Sequence, residues 1–343
     1  MNTRLTMGPR LLGLLTVLVL AASLALAGCG KDAETLVIYS SRTRSLVQPL
    51  LERFAAETGV NINVRYDTTA SIIATLREEG ANARADVVYL AEPSGWGTLS
   101  EAGLLATLPS DITGLVDPAF RSKRAQWVGL SGRSKVVVYN VEHVDPARDL
   151  PASIMDFTDP KWRGRIGWAP THGEWQITLT AIRLLHGDDA ALAWLEGIKA
   201  NEPKTYPNLI SIVQAVATGE VDVGFVNHYY VPRLIAETGE DFGARNYFLG
   251  AGDAGAVMDV AAAGIVANTD VPEAAQRFIR FMLSAEAQGY FATETREYPL
   301  AAGVEPGPDL PPLDSLAPPD IDLDGLGDLE GTLRLLREAG VIL

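Results

Sequence analysis

Cysteine is almost absent from this chain: Cys29 is the only one in 343 residues. That excludes an internal disulfide, a thiolate zinc site and cysteine catalysis. Histidine is nearly as scarce, and the four (His143, His172, His186 and His228) are scattered. No HExxH, GxSxG or P-loop pattern accompanies them, so the sequence does not read as an enzyme. Basic residues are outnumbered, 28 against 43 acidic ones, for a formal charge of −15. Nucleic acid is therefore not an expected partner, whereas a cation or its anion-shielded complex would be steered towards such a surface. Two further patterns fail on spacing. Asp320 to Gly325 imitates the start of a calcium loop, but Gly331 stands where the bidentate carboxylate belongs. Gly325 to Gly331 misses the dinucleotide fingerprint and follows no strand.

The N-terminus carries Arg4 and Arg10 and then an uncharged stretch from Leu11 to Ala27. It is too short and too close to the terminus to favour a spanning helix, and it reads as a secretory signal. It ends in Leu26-Ala27-Gly28-Cys29, which resembles the lipobox of bacterial lipoproteins. The expectation is a signal peptide over 1–28, a lipid-modified Cys29 that anchors the protein to the membrane outside the cytoplasm, and a linker over 29–34. Loss of residues 1–28 would leave 26 basic residues against 43 acidic ones, a formal charge of −17.

The remainder is too long for one ordinary core and predicts two domains. Apolar strands (36–39, 60–66 and 86–90) alternate with helical spacing (46–58 and 71–80), which argues for a parallel, helix-flanked sheet. A second α/β series follows: strands over 136–140, 165–168 and 221–226, and helices over 176–185, 190–199 and 210–218. An apolar strand over 261–267, a long helix over 272–291, a proline-rich wrap over 306–319 and a closing helix over 329–339 complete the reading.

The most telling local feature is Val221 to Val226 running into Asn227-His228-Tyr229-Tyr230. Ten tyrosines would give roughly 0.3 adjacent pairs by chance, so the pair depends on its context. A phenolate is a hard anionic oxygen donor suited to a trivalent cation such as Fe3+, which can displace its proton despite a free pKa of about 10. Strand side chains alternate, so both rings reach one ion only if the backbone turns at that point, and Pro232 just downstream supports a turn.

Collinear segments then carry a resemblance: LVIYSSR (36–42), ADVVY (85–89), SGRSKVVVYN (131–140), DPKWRGRIGWAP (159–170), GEVDVGFVNHYY (219–230) and EYPL (297–300). The chain resembles the ferric-iron-binding components of ABC transporters, the bacterial transferrins. The resemblance implies an α/β, two-lobed periplasmic-binding-protein fold, each lobe a helix-flanked mixed sheet with the ligand between them. One lobe would be 35–135 plus 260–310, and the other 136–259 plus 311–343. It also implies a monomer that captures Fe3+ with carbonate or another synergistic anion, or as a small chelate, and delivers it to an ABC permease. Tyr229 and Tyr230 fall on the paired tyrosine ligands, Asn227 on an anion contact, and Arg133 on the anion-binding arginine. Where many members place a histidine after YSSR, this chain has Thr43 flanked by Arg42 and Arg44, and Arg42 becomes a further anion candidate. A glutamate ligand of some members is displaced by one residue, to Glu92. In the loop after Pro170, His172 and Glu174 are candidate replacement ligands. These departures keep open a second reading, in which the same fold binds a small oxyanion or carboxylate without metal.

Overall fold

The computed structural model describes residues 34–343. The signal segment, the Leu26-Ala27-Gly28-Cys29 box and most of the linker lie outside the described residues. Among the described residues no helix is long and apolar enough to cross a membrane.

The first part alternates β1 (Thr35–Ser40), α1 (Arg44–Thr58), β2 (Asn61–Tyr66), α2 (Thr69–Glu79), β3 (Val87–Leu90) and α3 (Trp96–Glu101). The predicted Gly59 cap is present: its φ is 72° and its N–H returns to Ala55 O, closing α1 in a conformation that glycine reaches without strain. β1 lies between β2 and β3, all parallel. The second part holds β4 (Val128–Asn140), β5 (Ile166–Trp168), α4 (Gly173–His186), α5 (Asp188–Ala200), β6 (Lys204–Thr205), α6 (Leu209–Ala217), β7 (Val223–Asn227), α7 (Tyr230–Thr238) and β8 (Ala244–Tyr247). β9 (Met258–Ile265), α8 (Pro272–Met282), α9 (Ala285–Tyr290), β10 (Tyr298–Pro299) and α10 (Leu329–Glu338) follow.

The strand order is β2-β1-β3-β9-β4-β7-β5-β6, with β8 and β10 also paired to β4. β4 is the connection between the two lobes. Its first half, up to Ser134, pairs antiparallel with β9, and from Lys135 it pairs with β7 and β8. The result is an α/β, two-lobed binding-protein fold with a helix-flanked mixed sheet in each lobe.

Two elements differ from the sequence reading. The strand predicted to begin at Val136 begins eight residues earlier, at Val128. Ser131, Arg133 and Lys135 interrupt the apolar pattern because, at alternate positions, they share one face of β4, and that face meets other polar groups. The long helix predicted over 272–291 breaks after Met282, because Ser284 accepts the Ala287 N–H and starts a new helix.

Under the start of α4 sits an aromatic cluster that holds this helix in place. Trp175 lies 6.1 Å from Trp194 between ring centroids, Trp194 lies 5.9 Å from Phe225, and Trp168 meets Trp175 edge-on. The C-terminal segment closes over both lobes: Asp324 accepts from Trp127 Nε1 at 3.0 Å, and Thr332 on α10 meets Thr180 on α4 at 2.7 Å.

Two buried side chains tie the later elements to β4. Gln288 on α9 donates to Leu130 O and Met282 O, both at 2.8 Å, and its Oε1 accepts from Leu300 N and Ala301 N. His228 is fully buried; its Nδ1 accepts the Ser134 N–H at 3.1 Å and its Nε2–H donates to Arg296 O at 2.8 Å. Burial pushes its pKa down to about 4, so the ring is neutral.

Gln288→Leu strands four buried backbone groups and should cost about 4 kcal/mol, seen as a lower urea midpoint at unchanged slope. His228 has a folded pKa below its unfolded value of about 6.5, so its contribution is complete above that pH and is lost as pH falls towards about 4. Urea denaturation of the parent over this window should lose about 3 kcal/mol from this group. In His228→Gln, whose amide can meet the same two backbone groups, that part of the pH dependence should vanish.

Candidate metal centre

β7 is buried throughout and ends at Asn227, and α7 begins at Tyr230. Tyr229, at the junction, already has helical backbone angles (φ −70°, ψ −16°). The chain therefore leaves the strand at Asn227, just before the two tyrosines, and their side chains no longer point to opposite faces. The rings lie side by side with centroids 4.4 Å apart. Pro232 stands in the first turn of α7, where its missing N–H is tolerated. Tyr229 is 8% exposed. Burial raises the pKa of both phenols, reinforced at Tyr229 by the charge of Glu174 and at Tyr230 by Tyr229. Both hydroxyls stay protonated near neutrality unless a strongly polarising cation displaces the proton. Behind the pair, the Arg233 guanidinium lies 4.4 Å from the Tyr229 ring centroid and donates twice to Thr295 O.

Facing Tyr229 is a network of four buried charges. Arg133 and Lys135 are two residues apart on β4 and so share a face. Their register partners are Asp259 on β9 and Asn227 on β7, respectively. Arg133 pairs with Asp259 at 2.7 Å through Nη2, which also reaches the Ala91 carbonyl, and its Nη1 donates to Glu174 Oε1 at 2.8 Å. Lys135 Nζ reaches Glu174 Oε2 at 2.9 Å, Asp259 Oδ2 at 2.8 Å and Asn227 Oδ1 at 2.6 Å. Asn227 Nδ2 donates to Glu174 Oε2 at 3.0 Å and to the Tyr229 hydroxyl at 3.4 Å, placing carboxylate and phenol on one amide. Burial alone would raise the pKa of Glu174, but Arg133 and Lys135 outweigh it and hold the carboxyl well below its usual range. Burial pushes Asp259 up to about 6, making it the less acidic of the two carboxyls.

The other candidates occupy defined places. Glu92 is half-buried after β3 and accepts from Ser94 Oγ at 3.2 Å. A Cβ on Gly173 would stand 4.0 Å from its Oε2, so the one-residue offset leaves this carboxylate over the start of α4. Burial and then the charge of Glu174 raise its pKa. His172 occupies the N-cap position of α4; its Nδ1 has no hydrogen-bond partner among the described residues, and burial lowers its pKa. Arg42 is 5% exposed and bonds both Glu297 oxygens through Nη2, at 2.9 and 2.8 Å. Ser131 Oγ donates to the same carboxylate at 2.5 Å, and the Arg42 guanidinium lies 5.8 Å from the Tyr89 ring centroid.

The structure thus brings Tyr229, Tyr230, Asn227, Arg133 and Glu174 together, sets Glu92 and His172 beside the start of α4, and engages Arg42 with Glu297. Sequence reasoning missed Lys135, Asp259 and Glu297 as site residues. The signals were present: Lys135 follows Arg133 at strand spacing, and Asp259 is a single charge in an otherwise apolar strand. Among the described residues no three His, Cys, Asp or Glu side chains converge as a metal cage. A cation held here would depend on phenol oxygens.

Comparison with known proteins identifies the family. Residues 50–313 match the family described as bacterial extracellular solute-binding protein. The major ferric iron-binding protein of Neisseria meningitidis is 32% identical over 311 residues, covering 89% of this chain and 93% of its own length. Among solved structures, iron-bound HitA from Pseudomonas aeruginosa is 34% identical with a TM-score of 0.82, covering 90% of this chain and 99% of that one. Trichodesmium IdiA (FutA), in complex with iron and citrate, is 27% identical with a TM-score of 0.80, covering 89% and 99%. These matches bear out the resemblance read from the sequence, and the chain belongs to the bacterial extracellular solute-binding protein family.

Proposed function

We propose that this protein captures ferric iron outside the cytoplasm and passes it to an ABC permease, with Tyr229 and Tyr230 as phenolate ligands. The observation that carries the reading is the pair of phenols side by side at the strand-to-helix turn, with Asn227 joining Tyr229 to the Glu174 carboxylate. Hard oxygen donors suit a hard trivalent cation, and phenols kept protonated by burial yield their protons to a cation of high charge more readily than to a divalent one. The relatives whose names specify ferric iron support the same cargo.

Each lobe has its share in the capture. Tyr229, Tyr230, Glu174 and His172 belong to the second lobe, and Glu92, from the first, stands where it can add a donor as the lobes close. Arg133 and Asn227 gather the remaining negative charge beside the phenols. The lobes divide at 35–135 with 260–310 and 136–259 with 311–343, and β4 and β9 are the strands about which they move. In the cell the protein acts as a monomer anchored by lipid at Cys29. It performs no chemistry on its cargo beyond capture and release.

A visible-range titration of the metal-stripped protein with ferric citrate tests this. A tyrosinate-to-iron charge-transfer band that saturates stoichiometrically is the expected result. Tyr229→Phe and Tyr230→Phe should each weaken binding by more than about a hundredfold, the size reached by loss of outer-shell partners alone, while circular dichroism stays unchanged. Absence of the band at every anion composition would overturn the iron reading in favour of a small oxyanion or carboxylate as cargo.

A further inference from the structure

We infer that Glu174 is a built-in substitute for the synergistic anion: its carboxylate occupies the donors that a bound oxyanion would take, so that this chain holds ferric iron without exogenous carbonate. The inference rests on the iron reading above and concerns what completes that site.

The donors around Glu174 are those suited to an oxyanion. Arg133 Nη1 reaches one carboxylate oxygen at 2.8 Å, and Lys135 Nζ and Asn227 Nδ2 reach the other at 2.9 and 3.0 Å. One guanidinium nitrogen, an ammonium and an amide around two coplanar oxygens make a carboxylate-shaped recess, and a side chain of the protein fills it. Little of the arginine remains for a second anion. Nη1 serves Glu174, Nη2 serves Asp259 and the Ala91 carbonyl, and only Nε lacks a partner among the described residues. A single unpartnered nitrogen cannot offer the two-point grip for which a guanidinium is suited.

Charge balance argues in the same direction. Arg133 and Lys135 are matched by Glu174 and Asp259, all buried. A further anion on Arg133 would face two carboxylates in a medium that screens poorly. A carboxylate has about four lone-pair sites, and three donors leave capacity for a cation. Since Asn227 Nδ2 serves both Glu174 and the Tyr229 hydroxyl, that capacity lies beside the phenols. Glu174 can therefore bridge arginine and metal as an exogenous oxyanion would. The aromatic cluster beneath Trp175 keeps the first turn of α4, and hence this carboxylate, from moving aside.

The test is a titration of metal-stripped, full-length protein with ferric chloride, added from dilute acid to buffer free of carbonate and carboxylates, with and without added bicarbonate. The parent should develop the same charge-transfer band with the same affinity in both buffers. Glu174→Ala should bind roughly a hundredfold more weakly in the anion-free buffer and recover with bicarbonate or acetate, which refill the recess. If Glu174→Ala fails to fold by circular dichroism, Glu174→Ser, whose short side chain also leaves the recess open, takes its place. A parent that binds iron only with bicarbonate overturns the inference and leaves the iron reading standing. Undiminished binding by the variants without anion also overturns it, as does a loss that no anion relieves. A parent without a band in either buffer removes the iron reading itself.

Discussion

Arg133, Lys135, Glu174 and Asp259 are buried together where β4 crosses from one lobe to the other, and each is tolerable there only because of the others. Taking a charge out of water costs several kcal/mol, recovered only by close partners and satisfied hydrogen bonds. Here the partners come from the sheet itself: Asp259 lies opposite Arg133, and Asn227 opposite Lys135. The register that builds the sheet therefore also balances the charge. A slip of one residue would turn Ser131, Arg133 and Lys135 into the apolar side and leave Asp259 and Glu174 unpaired, so the crossing is fixed more tightly than backbone hydrogen bonds alone would fix it.

The tyrosine site inherits its geometry from this network. Lys135 claims the carbonyl oxygen of Asn227, which settles the orientation of the amide and aims its Nδ2 at Glu174 and the Tyr229 hydroxyl. On the opposite side Arg233 covers the face of Tyr229 and anchors to Thr295, next to the turn that receives His228. His228 packs edge-on against Tyr229 but commits both ring nitrogens to backbone groups, and it serves the fold by joining β4 to the 296 turn. A separate buried pair, Arg42 with Glu297, repeats the principle near Tyr89. In both clusters a cation is neutralised by a carboxylate of the protein. The phenols, by contrast, have no cation paired to their oxygens, and under the proposed function they are the donors that exchange their protons for a ferric ion.

Much of this was legible in the amino-acid sequence. Strand and helix alternation, the Gly59 cap and the α/β class follow from local periodicity and turn chemistry, which act over a few residues. The tyrosine pair at a strand end was visible too, as was the condition that the backbone must turn there. What misled the reading was the mixing of local and distant causes. The polar half of β4 breaks the apolar pattern of a strand, because its residues answer to the polar groups that lie across from them. The apolar spacing of 272–291 continues through Ser284 and predicts one unbroken helix, but the Ser284 cap outweighs it.

The tertiary structure alone decided which charges meet. Glu174 and Lys135 are 39 residues apart and Lys135 and Asp259 are 124 apart, and no local rule pairs them. The family resemblance made Arg133 and Glu92 candidates; only the crossing of β4 and β9 showed that Arg133 is already paired with carboxylates, and only the packing of α4 showed Glu92 lying above it. By itself the sequence determined the elements and the donors, because side-chain chemistry and backbone preference are local. The fold decided the partners, because burial makes every charge depend on whichever opposite charge the chain brings beside it.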